Sequence, residues 1–123
     1  MTREEEIKLL LEDLSCRVPY GVIVNVEGTH NAQLISVSWY EEVSVDDSSL
    51  YPYPISDVKP YLFPLSSMTD CQKGDYQFIT ERWMYDPSYS ISDSIDWLNK
   101  NHFDYRGLIE SGLAIDATNL NIY

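Results

Sequence analysis

The sequence predicts an α+β fold in a single domain, residues 1–123, with an N-terminal helix, a small curled antiparallel β-sheet that is barrel-like, and C-terminal helices. Three observations predict this fold: a helical apolar stripe near the start, β-branched runs between residues 22 and 63, and helix-capping patterns after residue 67. A chain of 123 residues rarely divides into two cores. Its composition, 44% hydrophobic and 23% charged, is typical of a globular protein and not of a disordered one.

The first predicted element is an amphipathic helix. Thr2 and Glu5 have the spacing of a capping box at its start. Pro19 is expected to end the helix, and Gly21 gives the chain freedom to turn. The apolar stripe has the i, i+3, i+4, i+7 spacing of one helical face. It consists of Ile7, Leu10, Leu11 and Leu14.

Short β-branched segments predict the sheet. Val22–Val26 is the first strand, and Glu27–Asn31 provides turn residues after it. Val43 and Val45 continue the alternation after a turn or bulge at the preceding acids. The proline-rich stretch that follows predicts loop, with one short edge strand at Lys59–Phe63. The second strand is expected to bury the odd positions Ile35, Val37 and Trp39.

Capping patterns predict the helices after the sheet. Ser67 and Asp70 can cap a short helix, whereas residues 71–89 carry no clear period and the segment YQFIT fits strand or helix. Ser90 and Asp93 form a capping box for a helix that buries one apolar face, and Asn101 is expected in a left-handed conformation at its end. That face consists of Ile91, Ile95 and Leu98.

A second C-terminal helix is predicted beyond Asn101. Asp104 is its expected N-cap, and Gly112 has the position of a C-terminal glycine. Phe103 and Leu108 have the spacing of a hydrophobic staple. We therefore expect a helical hairpin in which Tyr105 and Arg106 have no folding role.

The charge distribution restricts the classes of partner. Eight basic and twenty acidic side chains give a formal net charge of −12, and no lysine or arginine occurs between Val18 and Val58. Direct nucleic-acid binding through a broad basic face is excluded, because phosphate neutralisation requires clustered cations. The acids either keep the protein soluble by repulsion or form a face that engages a basic protein, as a nucleic-acid mimic does.

No motif in the sequence predicts an enzyme, a cofactor or a metal. His102 with Asp104 and Arg106 is the most suggestive group, because a carboxylate that orients a histidine is a general-base pattern, but Asp104 is already expected to act as a cap. Calcium-loop and zinc-ligand spacings, glycine-rich phosphate loops and a Gly-x-Ser-x-Gly motif are absent. His30 is expected in an exposed turn. We therefore predict a non-enzymatic protein.

The start of the chain and its cysteines predict a cytosolic location. The first residues are charged and helical, unlike a signal peptide, and no apolar run approaches the roughly 18 residues of a membrane span. Cys16 and Cys71 are isolated thiols, typical of a reducing compartment.

Hydroxyl, aromatic and cationic side chains in two segments predict a ligand site. Ser66, Ser67 and Thr69 can hold an anion at a helix start, although plain helix capping explains the same residues. Tyrosine rings provide faces on which a base can stack. The candidate ligand-binding residues are Lys59, Tyr61, Ser66, Ser67, Thr69, His102, Tyr105 and Arg106.

Three segments resemble one protein family. They are similar to segments of small proteins encoded by bacteriophages and prophages of gut bacteria, especially Bacteroides. RVPYGVIVNV resembles the Pro-Tyr-Gly-Val turn of that family, and ISDVKPYLFPLSSMTD resembles its Lys-Pro-Tyr-Leu-Arg-Pro-x-Ser-Ser-Met-Thr segment. WLNKNHFDYRGLIESGLA resembles its Asn-His-Phe-Asp-Tyr-Arg-Gly-Leu-Ile segment, and the three matches occur in the family's order. Phe63 stands where the family usually has arginine, so an anion contact made by that arginine would be lost here.

The resemblance implies a phage-encoded accessory protein in the host bacterial cytoplasm and no particular activity. Such proteins usually act by binding. The first expectation is sequestration of a small nucleotide-type immune signal of the host, an anti-defence function. The alternative is inhibition of a host defence protein by an acidic, tyrosine-rich surface. A homo-oligomer is expected, because two chains can enclose a ligand that one small domain holds only in a shallow pocket.

Overall fold

A computed structural model describes residues 2–82, 85–86, 88 and 90–123, and it has the predicted α+β class. The unclear segment 71–89 is described apart from residues 83, 84, 87 and 89, and it is helical up to Arg82. The helices are α1 (Arg3–Arg17), α2 (Asp70–Arg82) and α3 (Ile91–Lys100). The strands are β1 (Ile23–Val26), β2 (His30–Ser38), β3 (Glu42–Val45), β4 (Tyr53–Pro54), β5 (Val58–Pro64), β6 (Phe103–Asp104) and β7 (Ile115–Asp116).

The strands form one mixed, open sheet. The order is β4-β3-β2-β1-β5-β6, and β7 also pairs with β5. Strands β1 to β5 are antiparallel as predicted, whereas β6 and β7 run parallel to β5. The two ends of the sheet do not pair with each other, so the predicted barrel does not close.

The sheet buries its inner face against helix α1. Leu10 and Leu14 of the predicted stripe are buried in this core, while Ile7 and Leu11 pack at its margin. Thr2 caps the helix by accepting from the amide of Glu5 at 3.2 Å. The buried core also contains Val22, Val24, Val26, Ala32, Leu34, Val43, Val45, Ile55, Val58, Leu62, Leu108 and Ala114.

A β-bulge in β2 overturns the predicted face of that strand. The register shifts between Leu34 and Ser36, so Ile35 is exposed and Val37 turns back toward the core. An inserted residue in one strand reverses the direction of every later side chain. Trp39 lies beyond the end of β2 and is exposed, contrary to the predicted burial.

Strand β5 is paired on both of its edges, with β1 on one side and β6 and β7 on the other, although its prolines predicted an edge strand. Glu27 donates its N–H to Asp57 O at 2.7 Å, which fixes the alternation of hydrogen-bonded pairs between β1 and β5. Pro60 faces Val24 at a position whose nitrogen points away from β1. Its missing N–H therefore removes no bond from that ladder, and the central position is compatible with proline.

Helix α2 begins at a different cap from the one predicted. Thr69 N–H donates to Gln72 Oε1 at 2.9 Å, and Gln72 N–H donates to Thr69 Oγ1 at 3.2 Å, a reciprocal capping box. Ser67 instead donates its hydroxyl to Pro64 O at 2.7 Å. The cap is Thr69, and the helix continues to Arg82.

Helix α3 has the predicted capping box of Ser90 and Asp93. The burial of its apolar face and the residue at which the chain reverses differ from the prediction. Ile91 is exposed, while Leu98 is buried. The left-handed residue after the helix is His102, with φ of 62°, and Asn101 has negative φ. The chain therefore reverses one residue later than predicted.

The predicted second C-terminal helix is replaced by one turn. Asp104 still caps this turn, because its carboxylate accepts from the N–H groups of Leu108 at 3.1 Å and Ile109 at 3.0 Å. Gly112, with φ of 76°, closes it through the two bonds of a Schellman motif, Leu113 N–H to Leu108 O and Gly112 N–H to Ile109 O. The start and stop signals are those of a helix, but they enclose a single turn.

No helix among the described residues has the length and apolar character required to cross a membrane.

Candidate functional site

The predicted ligand residues do not form one site. Ser66 and Tyr105 line a surface cleft of about 330 Å³, the acidic cleft. Asp104 and Glu110 line the same cleft, which has no lysine or arginine in its wall. This cleft presents negative charge and no cation to a ligand, so its walls do not favour an anion.

Ser67 and Thr69 line a second cleft of about 230 Å³, the neutral cleft. Its wall carries no ionisable side chain. Phe63 packs there against Phe103, with ring centroids 6.2 Å apart. At the position where the resembled family has arginine, the side chain of this chain is therefore part of an aromatic cluster. The other lining residues are Gln72, Thr118 and Asn119.

Lys59 and Tyr61 lie apart from both clefts. Lys59 lines a third cleft of about 400 Å³ together with Glu27 and Asp57, which offset its charge. Tyr61 is buried and donates its hydroxyl to Asn31 Oδ1 at 2.7 Å. Strand β5 thus carries two predicted site residues that face neither Ser66 nor Thr69.

Arg106 has a structural role, contrary to our expectation. Its Nη1 donates to Asp13 Oδ1 at 2.9 Å and to Tyr105 Oη at 2.9 Å, and its Nη2 donates to Cys16 Sγ at 3.7 Å. Burial is the largest influence on the pKa of Arg106 and acts to lower it, but the hydrogen bond to Asp13, the charges of Tyr105 and Asp13 and the hydrogen bond to Cys16 together outweigh burial, so the pKa is raised. Tyr105 also donates to Asn99 Oδ1 at 2.8 Å. Both residues connect the C-terminal segment to other elements.

Arg106 belongs to a buried ionic cluster around Asp13. Asp13 and Arg17 are both 0% exposed and are joined by two bonds, of which Arg17 Nε to Asp13 Oδ2 is 2.7 Å. Arg17 Nη2 donates to Phe103 O at 2.7 Å. The i, i+4 spacing of Asp13 and Arg17 in a helix is visible in the sequence, but their burial is not. The cluster fixes α1 to the segment that carries Phe103.

His102 is held by its ring face and lacks the partner that a general base requires. Its imidazole stacks on Tyr123 with centroids 3.8 Å apart, and its Nδ1 is buried without a hydrogen bond. Burial, and then the positive charge of Arg17, lowers the pKa of His102 to about 4. Because Asp104 accepts from backbone N–H groups, it does not orient His102 as the general-base hypothesis requires.

A polar cluster around His30 was missed by the sequence reasoning. His30 is the first residue of β2, and its Nδ1 and Nε2 lie 2.8 Å from Thr29 Oγ1 and from Asp47 Oδ2. The order hydroxyl, imidazole, carboxylate resembles a nucleophilic triad. Val26 O, at 2.9 Å, is a second acceptor for the single hydroxyl proton of Thr29, so His30 Nδ1 is not the only group to which Thr29 can donate.

The contacts of the His30 cluster fix a loop. Asp47 accepts from Tyr53 Oη as well as from His30. These two hydrogen bonds, from Tyr53 first and His30 second, lower the pKa of Asp47. The contacts tie the loop between β3 and β4 to the start of β2.

A pair of exposed, stacked aromatic rings lies at the turn between β2 and β3, residues 38–42, which we call the hairpin tip. Trp39 is 76% exposed and Tyr40 is 66% exposed, and their rings stack with centroids 4.1 Å apart. Ser38 fixes the turn: its Oγ accepts from Tyr40 N–H and its carbonyl oxygen accepts from Glu41 N–H, both at 3.1 Å.

Acidic residues continue the hairpin tip. Glu41 has a left-handed φ of 64°, and its carbonyl oxygen accepts from Ile55 N–H at 2.9 Å, which ties the tip to the end of β4. Glu42 follows as the first residue of β3. The tip is therefore a fixed surface of two aromatic rings and two carboxylates.

Comparisons of the chain with protein-family models, with curated proteins and with solved structures found no match.

The described residues present aromatic, polar and acidic groups at two surfaces. Among the described residues, no group of three or more histidine, cysteine, aspartate or glutamate side chains is placed to hold a metal ion. Among the exposed groups are the aromatic faces and carboxylates of the hairpin tip, and hydroxyl, amide and aromatic groups line the neutral cleft.

Proposed function

We propose that this protein is a non-enzymatic binding protein whose hairpin tip engages a basic surface of a partner protein. The observation that carries the proposal is the exposed, stacked pair Trp39–Tyr40 beside Glu41 and Glu42. The tip lies in the part of the sequence, between residues 18 and 58, that contains no lysine or arginine.

The chemistry of the tip fits a cationic partner. Tryptophan, tyrosine and arginine dominate the energetics of protein interfaces, and stacked rings lose little conformational freedom on binding. A partner arginine or lysine can lie over the face of Trp39 in a cation–π contact while Glu41 and Glu42 pair with neighbouring cations. A face of this charge also resembles nucleic acid, so proteins that bind nucleic acid have the complementary surface.

The resemblance to phage-encoded proteins makes a host protein in the bacterial cytoplasm the expected partner. In this proposal the chain blocks a host defence protein by covering its basic surface. Inhibition of this kind requires no cofactor and no bond-making step, which agrees with the absence of enzymatic motifs in the sequence.

Binding of a mixed lysine- and arginine-rich peptide, measured by fluorescence anisotropy, tests the tip. Trp39→Ala combined with Tyr40→Ala should weaken binding about 30-fold, since interface anchors of this kind contribute about 2 kcal/mol or more. Tyr51→Ala is the matched control, because Tyr51 is 79% exposed but lies in the loop between β3 and β4. Equal effects of both variants would show that binding of the peptide depends only on the net charge of the protein.

Recovery of proteins from host lysate provides a second measurement. The expected result is a basic protein that the wild-type chain retains and that the Trp39→Ala, Tyr40→Ala variant loses. Retention by that variant would contradict the proposal, whichever protein is recovered.

Sequestration of a nucleotide-type signal remains a second candidate function. It is favoured by one observation, the aromatic and hydroxyl-lined neutral cleft that contains Ser67 and Thr69. The scarce cations are the weakness of this candidate, because Lys59 lies elsewhere and Arg106 pairs with Asp13. Thermal shifts against a panel of cyclic and linear nucleotides test it, and the absence of any shift at millimolar concentration would exclude it.

The predicted homo-oligomer belongs to the same proposal, because a second copy of the chain can enclose a surface cleft. Light scattering at micromolar concentration measures the state, and a monomeric mass would contradict the prediction.

A further inference from the structure

The neutral cleft differs from the other two clefts in the chemistry of its wall. The acidic cleft contains Asp104 and Glu110, and the third cleft contains Glu27, Asp57 and Lys59. The neutral cleft combines two phenylalanine rings with hydroxyl and carboxamide groups only. A ligand for this cleft therefore needs an apolar face and hydrogen-bonding edges, and it gains nothing from a charge.

The aromatic floor of the cleft is fixed from behind. Phe103 is fully buried and stacks on Trp97 at 5.7 Å with an interplanar angle of 12°. Phe63 is half-buried and packs against Phe103, so part of its ring faces the cleft. Tyr76 supports Trp97 from α2, at a centroid distance of 5.6 Å. The floor is preorganised for contact with a flat ligand.

The polar wall retains unused hydrogen-bonding groups. The capping box of α2 uses Thr69 Oγ1 and Gln72 Oε1 as acceptors. The hydroxyl proton of Thr69 and the amide protons of Gln72 Nε2 are left to donate. Ser67 donates its own proton to Pro64 O, which leaves its oxygen to accept. Donors and an acceptor therefore lie beside the aromatic floor, as recognition of a heterocycle edge requires.

Residues 117–123, which we call the strap, form the remaining wall. Ala117 N–H donates to Leu62 O at 2.8 Å and fixes one end of the strap to β5. At the other end, Tyr123 Oη accepts from Ile23 N–H at 2.9 Å and donates to Tyr61 O at 2.8 Å. Thr118 and Asn119, between these two attachments, line the cleft.

The attachment of Tyr123 interrupts the sheet. In the register between β1 and β5, Asn25 pairs with Lys59, so Ile23 and Tyr61 are the next residues placed to exchange a ladder bond. The phenol of Tyr123 lies between their N–H and C=O groups and replaces that bond. The strap is thus held by a hydroxyl that occupies the place of a bond between the two strands.

We propose that the neutral cleft binds a planar, uncharged nitrogen heterocycle of nucleobase size and that the strap is the wall that encloses it. A volume of about 230 Å³ is below the roughly 300–1,000 Å³ of sites for drug-sized ligands, which limits the occupant to one or two rings. Stacking on Phe63 supplies the apolar contact, while Gln72 and Thr69 bind the edge. The net charge of −12 disfavours the phosphorylated form of the same ligand.

This inference is independent of the hairpin tip, and it differs from the second candidate function because its ligand is an uncharged base and not a nucleotide. Titration calorimetry with adenine, guanine, uracil, adenosine and AMP tests it. The expected result is saturable binding of at least one free base, with its nucleoside no more than a few-fold weaker and AMP weaker than adenosine. No saturable binding of any base or nucleoside at millimolar concentration would overturn the proposal.

Two variants locate the site. Phe63→Leu and Gln72→Ala should each weaken binding of the base about tenfold, the effect of losing one stacking or edge contact. Ser66→Ala, in the acidic cleft, is the matched control and should leave binding unchanged. If AMP binds more tightly than adenosine and Lys59→Ala abolishes the difference, the protein recognises the ligand through its phosphate group. That outcome would overturn the neutral-cleft proposal and support nucleotide sequestration at the third cleft.

Tyr123→Phe tests the strap separately. The variant keeps a ring for stacking on His102 but loses both hydrogen bonds of the phenol, so base binding should weaken several-fold while circular dichroism stays unchanged. Amide exchange at Ile23 should change in the variant, because that N–H loses its acceptor. Base affinity equal to that of the wild-type chain would show that the strap is not part of the site.

Discussion

At the scale of single residues, Asp13 and Arg17 form an ion pair whose two side chains are fully buried. Arg17→Met should lower the free energy of unfolding by about 3–5 kcal/mol, because it breaks an ion pair that is 0% exposed. Arg106→Met should cost about 1–3 kcal/mol, since Asp13 keeps Arg17 as a partner. Urea denaturation measures both. A larger effect of Arg106→Met would contradict the assigned roles.

His102 makes the stability of the fold depend on pH. Its pKa is lowered from 6.5 to about 4 in the folded state, so the folded chain holds the neutral ring more strongly than the unfolded chain does. This contribution is complete above pH 6.5 and is lost as the pH falls from 6.5 toward 4. His102→Asn tolerates the left-handed φ of this position and removes the titration.

The measurement for His102 is the melting temperature of both proteins at pH 7 and pH 5. The wild-type chain should lose more stability over this interval than the variant, because most carboxyl groups titrate below it. Parallel curves for the two proteins would show that His102 does not titrate in this range.

Several roles of single residues were predictable from the sequence, and others were not. Thr2 and the pair Ser90–Asp93 cap their helices as predicted, because capping depends only on neighbours in the chain. The structural role of Arg106 was not predictable, since its partner Asp13 is distant in sequence. Among the candidate ligand residues, Ser67 and Thr69 line the same cleft because they are only two residues apart in the chain.

At the scale of elements, helix α2 is the least integrated helix. None of its residues is buried, and Tyr76 contacts Trp97 of α3 while Thr80 Oγ1 lies 3.4 Å from Ser94 Oγ. Its stability therefore depends strongly on helix propensity. A change at a position without tertiary contacts should alter the stability of this helix directly.

Gly74→Ala should stabilise the protein by about 0.5–1 kcal/mol, because alanine restricts the unfolded chain and favours the helix. A methyl group at Gly74 meets no atom within 4 Å. Gly112→Ala is the matched control: it also has open space, but its φ of 76° is strained for alanine, so it should destabilise by about 1–2 kcal/mol. Thermal melts compare the two, and destabilisation by Gly74→Ala would show that α2 requires its glycine.

The elements themselves were predicted better than their extents. Asp104 and Gly112 carry helix start and stop signals, and both are used, yet they enclose only one turn. The same backbone groups need capping in one turn as in a long helix, so the signal does not encode length. The bulge at Ile35 could not be recognised in the sequence, because the period-two pattern of apolar residues continues before and after it. Only the face of the sheet to which those residues point changes at the bulge.

At the scale of the whole molecule, self-repulsion is the expected consequence of a net charge of −12. The melting temperature should rise when ionic strength increases from about 0.01 to 0.15 M, because the screening length falls from about 30 to about 8 Å. A sugar at equal osmolality is the control for effects other than screening. A fall in melting temperature would show that exposed ion pairs outweigh the repulsion.

The α+β class and the N-terminal part of the architecture were predicted, whereas the barrel, the second C-terminal helix and the edge position of β5 were wrong. The helical apolar stripe predicted α1, and β-branched and alternating runs predicted the strands through β3, because each of these patterns lies within a few residues. The position of β5 was not predictable, since its neighbours β6 and β7 come from segments much later in the chain. Short parallel strands have no sequence pattern of their own and form only where a central strand already exists.

The two edges of β5 imply an order of assembly. Strands β1 to β4 pair across short connections, whereas β6 and β7 reach β5 only after α2 and α3 have been synthesised. Closing such long loops is slow, and contacts of this kind are among the last to form and the first to open. The C-terminal segments should therefore behave as a separate cooperative unit that detaches while the meander stays intact, a partial unfolding visible as early amide exchange at Phe63 and Ala117.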